Sequence, residues 1–290
     1  MVDIFNQVFS GLSIASILLL ISLGLAIIYG TVGVINLAHG EFVMLGAYTV
    51  WFLEAKFGLG LYSCLVLAFL VVSVLGWCAE RLVIRHLYGR VLDTILATWG
   101  IGVILQQAVR LTAGAELRYV KMPAELSQAV ALFGVDMSAY RLFVLVLTLA
   151  LLLLTYALIF RTSFGLRLRG VVQNAEIARC FGVNASQIYS LTFAYGAGLA
   201  GVAGALVSPL KSVSPDMGTG YIVDAFMVVV VGGVQSLLGT VASAGILGEL
   251  SEGLAYLSND TIAKAVVFLG VVVLIRFRPQ GLFAVRVRRG

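Results

Sequence analysis

Residues 173–190 read QNAEIARCFGVNASQIYS, a polar stretch set between two long apolar runs. Asn174 is placed to accept from the free backbone N–H groups of a helix start, and Glu176 puts negative charge in the first turn, where the helix dipole favours it. Ile177, Ala178 and Phe181 supply a small apolar face. Gly182 ends the helix, because a left-handed residue past a C-terminus is least strained as glycine. Asn184 opens another helix, with Gln187 three residues on in capping-box spacing. The stretch therefore predicts a short, rigid helix over 174–182, marked at both ends. Arginines at 161, 167, 169 and 179 put it on the cytoplasmic side of a membrane. It is either a surface for a cytoplasmic partner to grip or simply a well-capped interfacial helix.

Outward from this stretch the chain is apolar. Of 290 residues, 61% are hydrophobic and 11% charged, against roughly 25% charged in soluble domains. With no β-barrel alternation, the fold class is all-α: a polytopic helical membrane protein, one transmembrane domain over 1–290 with a cytoplasmic loop at 161–188. The net charge of +5 is no nucleic-acid signal, since the basic residues sit in a few loops. Cys64, Cys78 and Cys180 lack metal-ligand spacing, and the N-terminus lacks the basic start and cleavage site of a signal peptide. Lipid should cover the apolar faces.

Spans are expected at about 9–28, 42–53, 61–79, 92–111, 139–160, 189–207, 237–257 and 261–275, with a shorter apolar piece at 222–231. Discontinuities are expected near 29–42, where YGTVGVINLAHGEF interrupts the apolar pattern, and near 222–237, around Gly232 and Gly233. Three arginines in 81–90, four in 161–179 and five from Arg276 onward mark three cytoplasmic segments. The N-terminus then lies outside and the C-terminus inside, so the number of crossings is odd. Eight full spans leave the short piece to cross as a ninth, or one of the eight to be re-entrant.

Polar groups at membrane depth are costly and point to function by default. Asn36, His39 and Glu41 follow the first span, in a break whose free backbone groups must face protein or a wet cavity. Asn36 is a pathway residue or a cap of the next helix; His39 and Glu41 line a path or form a structural pair. Trp99 and Gln106, seven residues apart, are expected to share a face with Thr98 and Gln107 nearby, lining a path or bonding neighbouring helices. Asp224 opens the short piece. No H-E-x-x-H, G-x-S-x-G or Walker lysine occurs, and two histidines without a cysteine pair make no zinc site, so neither catalysis nor a metal is expected here. A channel or a transport subunit remains, and the capped cytoplasmic helix favours the subunit.

Glu176-Ile177-Ala178 followed by Gly182 resembles the E-A-A-x-x-x-G coupling loop of ABC importer permeases, with Ile in place of the usual Ala. GVINLAHGEFVMLGAY (33–48), LTFAYGAGLAGVAGAL in the sixth span and the RPQGLF ending resemble the permeases of high-affinity branched-chain amino acid systems. Leu92–Leu111, with Thr98-Trp99-Gly100, and Ser214–Thr240, with Tyr221-Ile222-Val223-Asp224, look closer to urea-transport permeases. The resemblance implies an ATP-driven importer of urea in a bacterial inner membrane. It implies a second homologous permease, two cytoplasmic ATPase subunits that carry ATP and magnesium, and a periplasmic urea-binding protein. No cofactor is expected on this chain. Asn174, Glu176, Ala178, Phe181 and Gly182 would form the ATPase coupling element. Branched-chain amino acid transport is the alternative within the family, and a passive urea or amide channel the alternative outside it.

Overall fold

The computed structural model describes residues 2–132, 135–234 and 236–283. Its long helices are α1 (Val2–Val32), α2 (His39–Phe57), α3 (Leu61–Leu82), α4 (Val91–Ala113) and α5 (Ala139–Arg161). Two short ones follow, α6 (Ser163–Gln173) and α7 (Ala175–Cys180). Then come α8 (Ala185–Val207), α9 (Met217–Gly232), α10 (Leu237–Leu257) and α11 (Asp260–Phe277). Among the described residues, α1, α3, α4, α5 and α8 are long and apolar enough to cross a membrane, and α9 is a shorter apolar helix. Each expected span is thus a helix. The short 222–231 piece begins earlier than expected, at Met217, and the long loop at 112–138 contains an antiparallel hairpin of Ala129–Leu132 and Val135–Ser138.

The centre of the bundle is α8, with 83% of its apolar window buried against 17% for α4 and α5. Its glycines explain why. A methyl on Gly196 would meet the Gly24 carbonyl of α1 at 2.7 Å, one on Gly198 the Phe69 ring of α3 at 2.7 Å, and one on Gly204 the Val43 carbonyl carbon of α2 at 2.7 Å. Gly196 and Gly204 thus admit the backbones of α1 and α2, and Gly198 seats a ring of α3, the close approach that helix association in lipid relies on. α3 runs antiparallel to α8, with Gly76 beside Phe193 and Ala197, and Val72 beside Gly201. α10 runs antiparallel to α1, with Gly248 against Ala15 and the Glu252 carbonyl accepting from Gln7 at 2.9 Å. Tyr140 of α5, fully buried, donates to the Leu206 carbonyl at 2.7 Å.

Both expected discontinuities exist, each shorter than expected. α1 continues to Val32, so the first spans only residues 33–38, opened by Gly33 at φ +72°. The second lies at 233–236, where Gly233 has φ +90° and Ser236 Oγ caps α10 by accepting from Gly239 N–H at 2.9 Å. The chain beyond α11 folds back onto that joint: Leu282 N–H donates to the Val231 carbonyl at 2.8 Å. Of the tail arginines, Arg286, Arg288 and Arg289 lie outside the described residues.

Candidate functional site

The first break and the start of α2 hold Asn36, His39 and Glu41 on different neighbours: His39 is turned to α1, whereas Glu41 meets Gln106 of α4. Residues 33–38 leave their backbone without a helix, and α4 helps to satisfy it. Thr98, fully buried, accepts from Leu37 N–H at 3.1 Å. Asn36 Oδ1 accepts from Ala38 N–H at 3.1 Å, a turn two residues long that starts α2, while the helix-cap position itself is Ala38. Asn36 therefore does organise the helix start, but as a turn residue. His39 Nε2 stands 3.0 Å from the Ile21 carbonyl of α1. A carbonyl only accepts, so that nitrogen carries the proton and Nδ1 faces inward as an acceptor. Glu41 Oε1 accepts from Gln106 Nε2 at 2.8 Å.

Among the described residues three buried side-chain atoms here have no hydrogen-bond partner: Asn36 Nδ2, His39 Nδ1 and Glu41 Oε2. Each such atom costs about 1–3 kcal/mol unless something pairs it, and of the three Glu41 Oε2 lies where α2, α4 and α9 meet. Small residues make the space: a methyl on Gly102 would sit 3.4 Å from Glu41 Cγ, and one on Gly218 2.7 Å from Glu41 Oε2. Gln106 Nε2 also reaches Thr219 Oγ1 at 3.4 Å, and one turn further along α4 Arg110 pairs with Asp216, so α4 and the start of α9 close over the break.

Two expected site residues lie elsewhere. Trp99 is 61% exposed on the outer face of α4. The face turned to the break carries Thr94, Thr98 and Gly102, and a tryptophan there would displace α2. Trp99 and Gln106 stand on one side of α4 as their spacing requires, but only Gln106 reaches Glu41, and at the level of Trp99 the adjacent Thr98 is the residue that meets the break. Asp224 is on the far side of α9 and pairs with Lys264 of α11 at 3.1 Å.

At the other end of α8 the capped helix forms as read. Asn174 Oδ1 accepts from both Glu176 and Ile177 N–H at 3.0 Å. Gly182 has φ +78°, and Val183 N–H closes the end on the Ala178 carbonyl at 3.0 Å. Asn184 Oδ1 then accepts from Gln187 N–H at 3.1 Å, so α7 passes into α8 through a linker of four residues, 181–184. The helix is shorter than 174–182, and its apolar face divides. Ala178 packs with Leu168, Val171, Ala185 and Ile188, whereas Ile177 and Phe181 point outward, 56% and 83% exposed. Those two lie four residues apart on one face.

Sequence reasoning missed what braces this end. α6 is a helix in its own right, capped by Thr162 Oγ1 accepting from Gly165 N–H at 3.1 Å; the buried Leu168 and Val171 three residues apart were its signal. Glu80 of α3 is fully buried, and the hydroxyls of Tyr88 and Ser190 donate to its two oxygens. Burial, and then the Glu80 carboxylate, push the Tyr88 phenol far above its ordinary value, so it stays a donor. Arg85 donates to Ser186 Oγ at 2.6 Å. The loop after α3 is thus tied to the first turns of α8.

Comparison with known proteins agrees with this architecture. The family described as branched-chain amino acid transport system, permease component, matches residues 7–276. The chain is 29% identical over 290 residues to the high-affinity branched-chain amino acid transport system permease protein BraD of Pseudomonas aeruginosa, covering 96% of this chain and 94% of BraD. It is 29% identical over 297 residues to LivH of Escherichia coli K12, with the same coverage. With LivM of that organism it is 27% identical over 296 residues, covering 93% of this chain and 68% of LivM. No solved structure matches. Matched over nearly its whole length, with nine long helices among its described residues arranged around a glycine-lined centre, the chain belongs to the permease family of branched-chain amino acid transport systems.

Proposed function

We propose that this chain is one permease subunit of an ATP-driven importer and that its substrate is an aliphatic amino acid. The observation that carries the reading is α7: a helix capped at both ends, joined to the central helix by four residues and leaving Ile177 and Phe181 exposed. A passive pore has no use for such an element. Two ATPase subunits that bind ATP and magnesium would grip α7 and move α8, which touches α1, α2 and α3 at backbone distance. That LivH and LivM, two permease proteins of one organism, both resemble this chain supports a pair of homologous permeases. An external binding protein would deliver the substrate to the side opposite α7, with the N-terminus outside and the C-terminus inside a bacterial inner membrane.

The amino acid substrate is favoured by the relatives, which are named for branched-chain amino acids. A second reading, urea with a periplasmic urea-binding protein, is favoured by one specific observation. The two stretches that resemble urea permeases, Leu92–Leu111 and Ser214–Thr240, meet over Glu41 through Gln106 and Thr219. The unpaired Glu41 Oε2 there suits an N–H of a small amide. Uptake of labelled leucine and labelled urea separates the readings, in vesicles holding the chain with its partner permease, ATPases and binding protein. ATP-dependent leucine uptake is expected. ATP-dependent urea uptake without leucine would replace the substrate, and flux of either without ATP would remove the coupling role of α7.

A further inference from the structure

A cavity of about 480 Å³ lies between α1, α9, α10 and α11, on the side of α9 away from Glu41. Gly220, Asp224 and Met227 face it, opposite the face that carries Gly218 and Ile222 to Gly40. Its size falls within the range of small-ligand clefts, roughly 300–1,000 Å³.

The lining is sorted by depth. Leu18, Val228, Leu247 and Val267, one from each helix, are buried and form an apolar floor. On the same helices the polar lining residues Ser13, Asp224, Glu252 and Lys264 all lie toward the other end. Lys211 and Arg141 join them there, with Asp260. Three cations and three carboxylates therefore surround the open end, above a floor without charge. Asp224 and Lys264 pair with each other, whereas Lys211, Glu252 and Asp260 have no ion pair among the described residues.

We propose that this cavity binds a zwitterionic amino acid with an aliphatic side chain. The carboxylate would lie toward Lys211 and Arg141, the ammonium toward Glu252 and Asp260, and the side chain on the four-residue floor. A ligand of single charge, a lipid headgroup included, would leave half of the mouth unpaired, and urea would waste the floor. The inference rests on the amino acid reading of the substrate. It adds a resting place inside this subunit, separate from the break.

The test is equilibrium binding of labelled leucine to the purified permease–ATPase complex in lipid nanodiscs, without binding protein. Leucinamide, which lacks the carboxylate, and 4-methylpentanoate, which lacks the ammonium, should compete about tenfold or more weakly than leucine, since each forfeits a charge-assisted contact. Ser251→Trp, which fills the cavity from α10, should abolish binding. Lys211→Ala, at the mouth and outside the helices, should weaken it about tenfold with assembly unchanged. Leucine binding equal in the wild type and Lys211→Ala, or equal competition by the two analogues, overturns the proposal. So does an absence of binding in a complex that still imports leucine with ATP, and the transport reading then survives. Binding that follows the expected pattern in a complex that imports only urea keeps the site and sinks the substrate reading instead.

Discussion

One methyl group at Gly46 should push apart a pair of helices that now touch backbone to backbone. Ala at this position would put Cβ 2.6 Å from both the carbonyl carbon and the Cα of Gly201, and closer still to the carbonyl oxygen, where ordinary contact begins at 3.4 Å. Nothing in that direction is a flexible side-chain end, so α2 and α8 must separate by roughly 1 Å, and a gap of that size forfeits a quarter to a half of each dispersion contact along the crossing. Overpacked cores lose about 1–3 kcal/mol, occasionally more. Against this, Ala is favoured over Gly inside a helix by about 1 kcal/mol. Gly46→Ala should therefore destabilise by up to about 2 kcal/mol net. Gly245→Ala is the control: it also lies inside a helix, with nothing within 4 Å of its added Cβ, and should be neutral or stabilising by up to about 1 kcal/mol. Unfolding of the purified protein in detergent, followed by tryptophan fluorescence, reads both. Coincident transitions for the two variants would refute the claim that α8 is held by backbone contact.

Gly182→Val forces a β-branched residue to φ +78°, at a cost of about 1–3 kcal/mol; ATPase activity should persist while ATP-driven uptake falls, and intact uptake with assembled ATPases would remove α7 from the coupling route. Asn174→Ala removes the acceptor of two N–H groups and should cost about 1 kcal/mol of local stability, seen as faster amide exchange over 175–180. Tyr88→Phe leaves Glu80 with one hydroxyl partner in place of two and should destabilise by about 1–3 kcal/mol, measured by thermal unfolding. Glu41→Gln keeps the contact to Gln106 but exchanges a carboxyl oxygen for an amide; transport rate should drop at least several-fold with little change in stability, and wild-type uptake would reduce Glu41 to a brace.

What could be read from the sequence follows from which interactions are local. Caps and glycine stops act over two to five residues, so Asn174, Gly182 and Asn184 declared α7 and the start of α8, and the structure returns each bond. The apolar runs declared the long helices for the same reason. Facing is different, since it depends on neighbours. Thr98 and Trp99 are adjacent, and only the approach of α2 to the Thr94–Thr98–Gly102 face decides which one looks inward. Asp224 likewise reads as a pathway residue until Lys264, forty residues away, is seen beside it. Glu80 gave no signal at all, because its partners are a tyrosine in the next loop and a serine more than a hundred residues on.

The two ways of holding helices here differ in how they yield. α8 meets α1 and α2 backbone to backbone at glycines and takes Phe69, Val72 and Ser73 of α3 against its own glycines, so these four should move together. α4 is largely exposed, and it meets the break through hydroxyl, amide and carboxylate groups: Thr98 on Leu37, Gln106 on Glu41 and Thr219, Arg110 on Asp216. Polar contacts of this kind can be exchanged one at a time for water or for a passing solute at little cost, because each partner is replaced as it leaves. A push on α7 that tilts the glycine-packed block would therefore be taken up where the contacts are exchangeable, between α4 and residues 36–41. Glu41 Oε2, unpaired among the described residues, lies at that seam, where a polar solute could take the place of the contacts being broken.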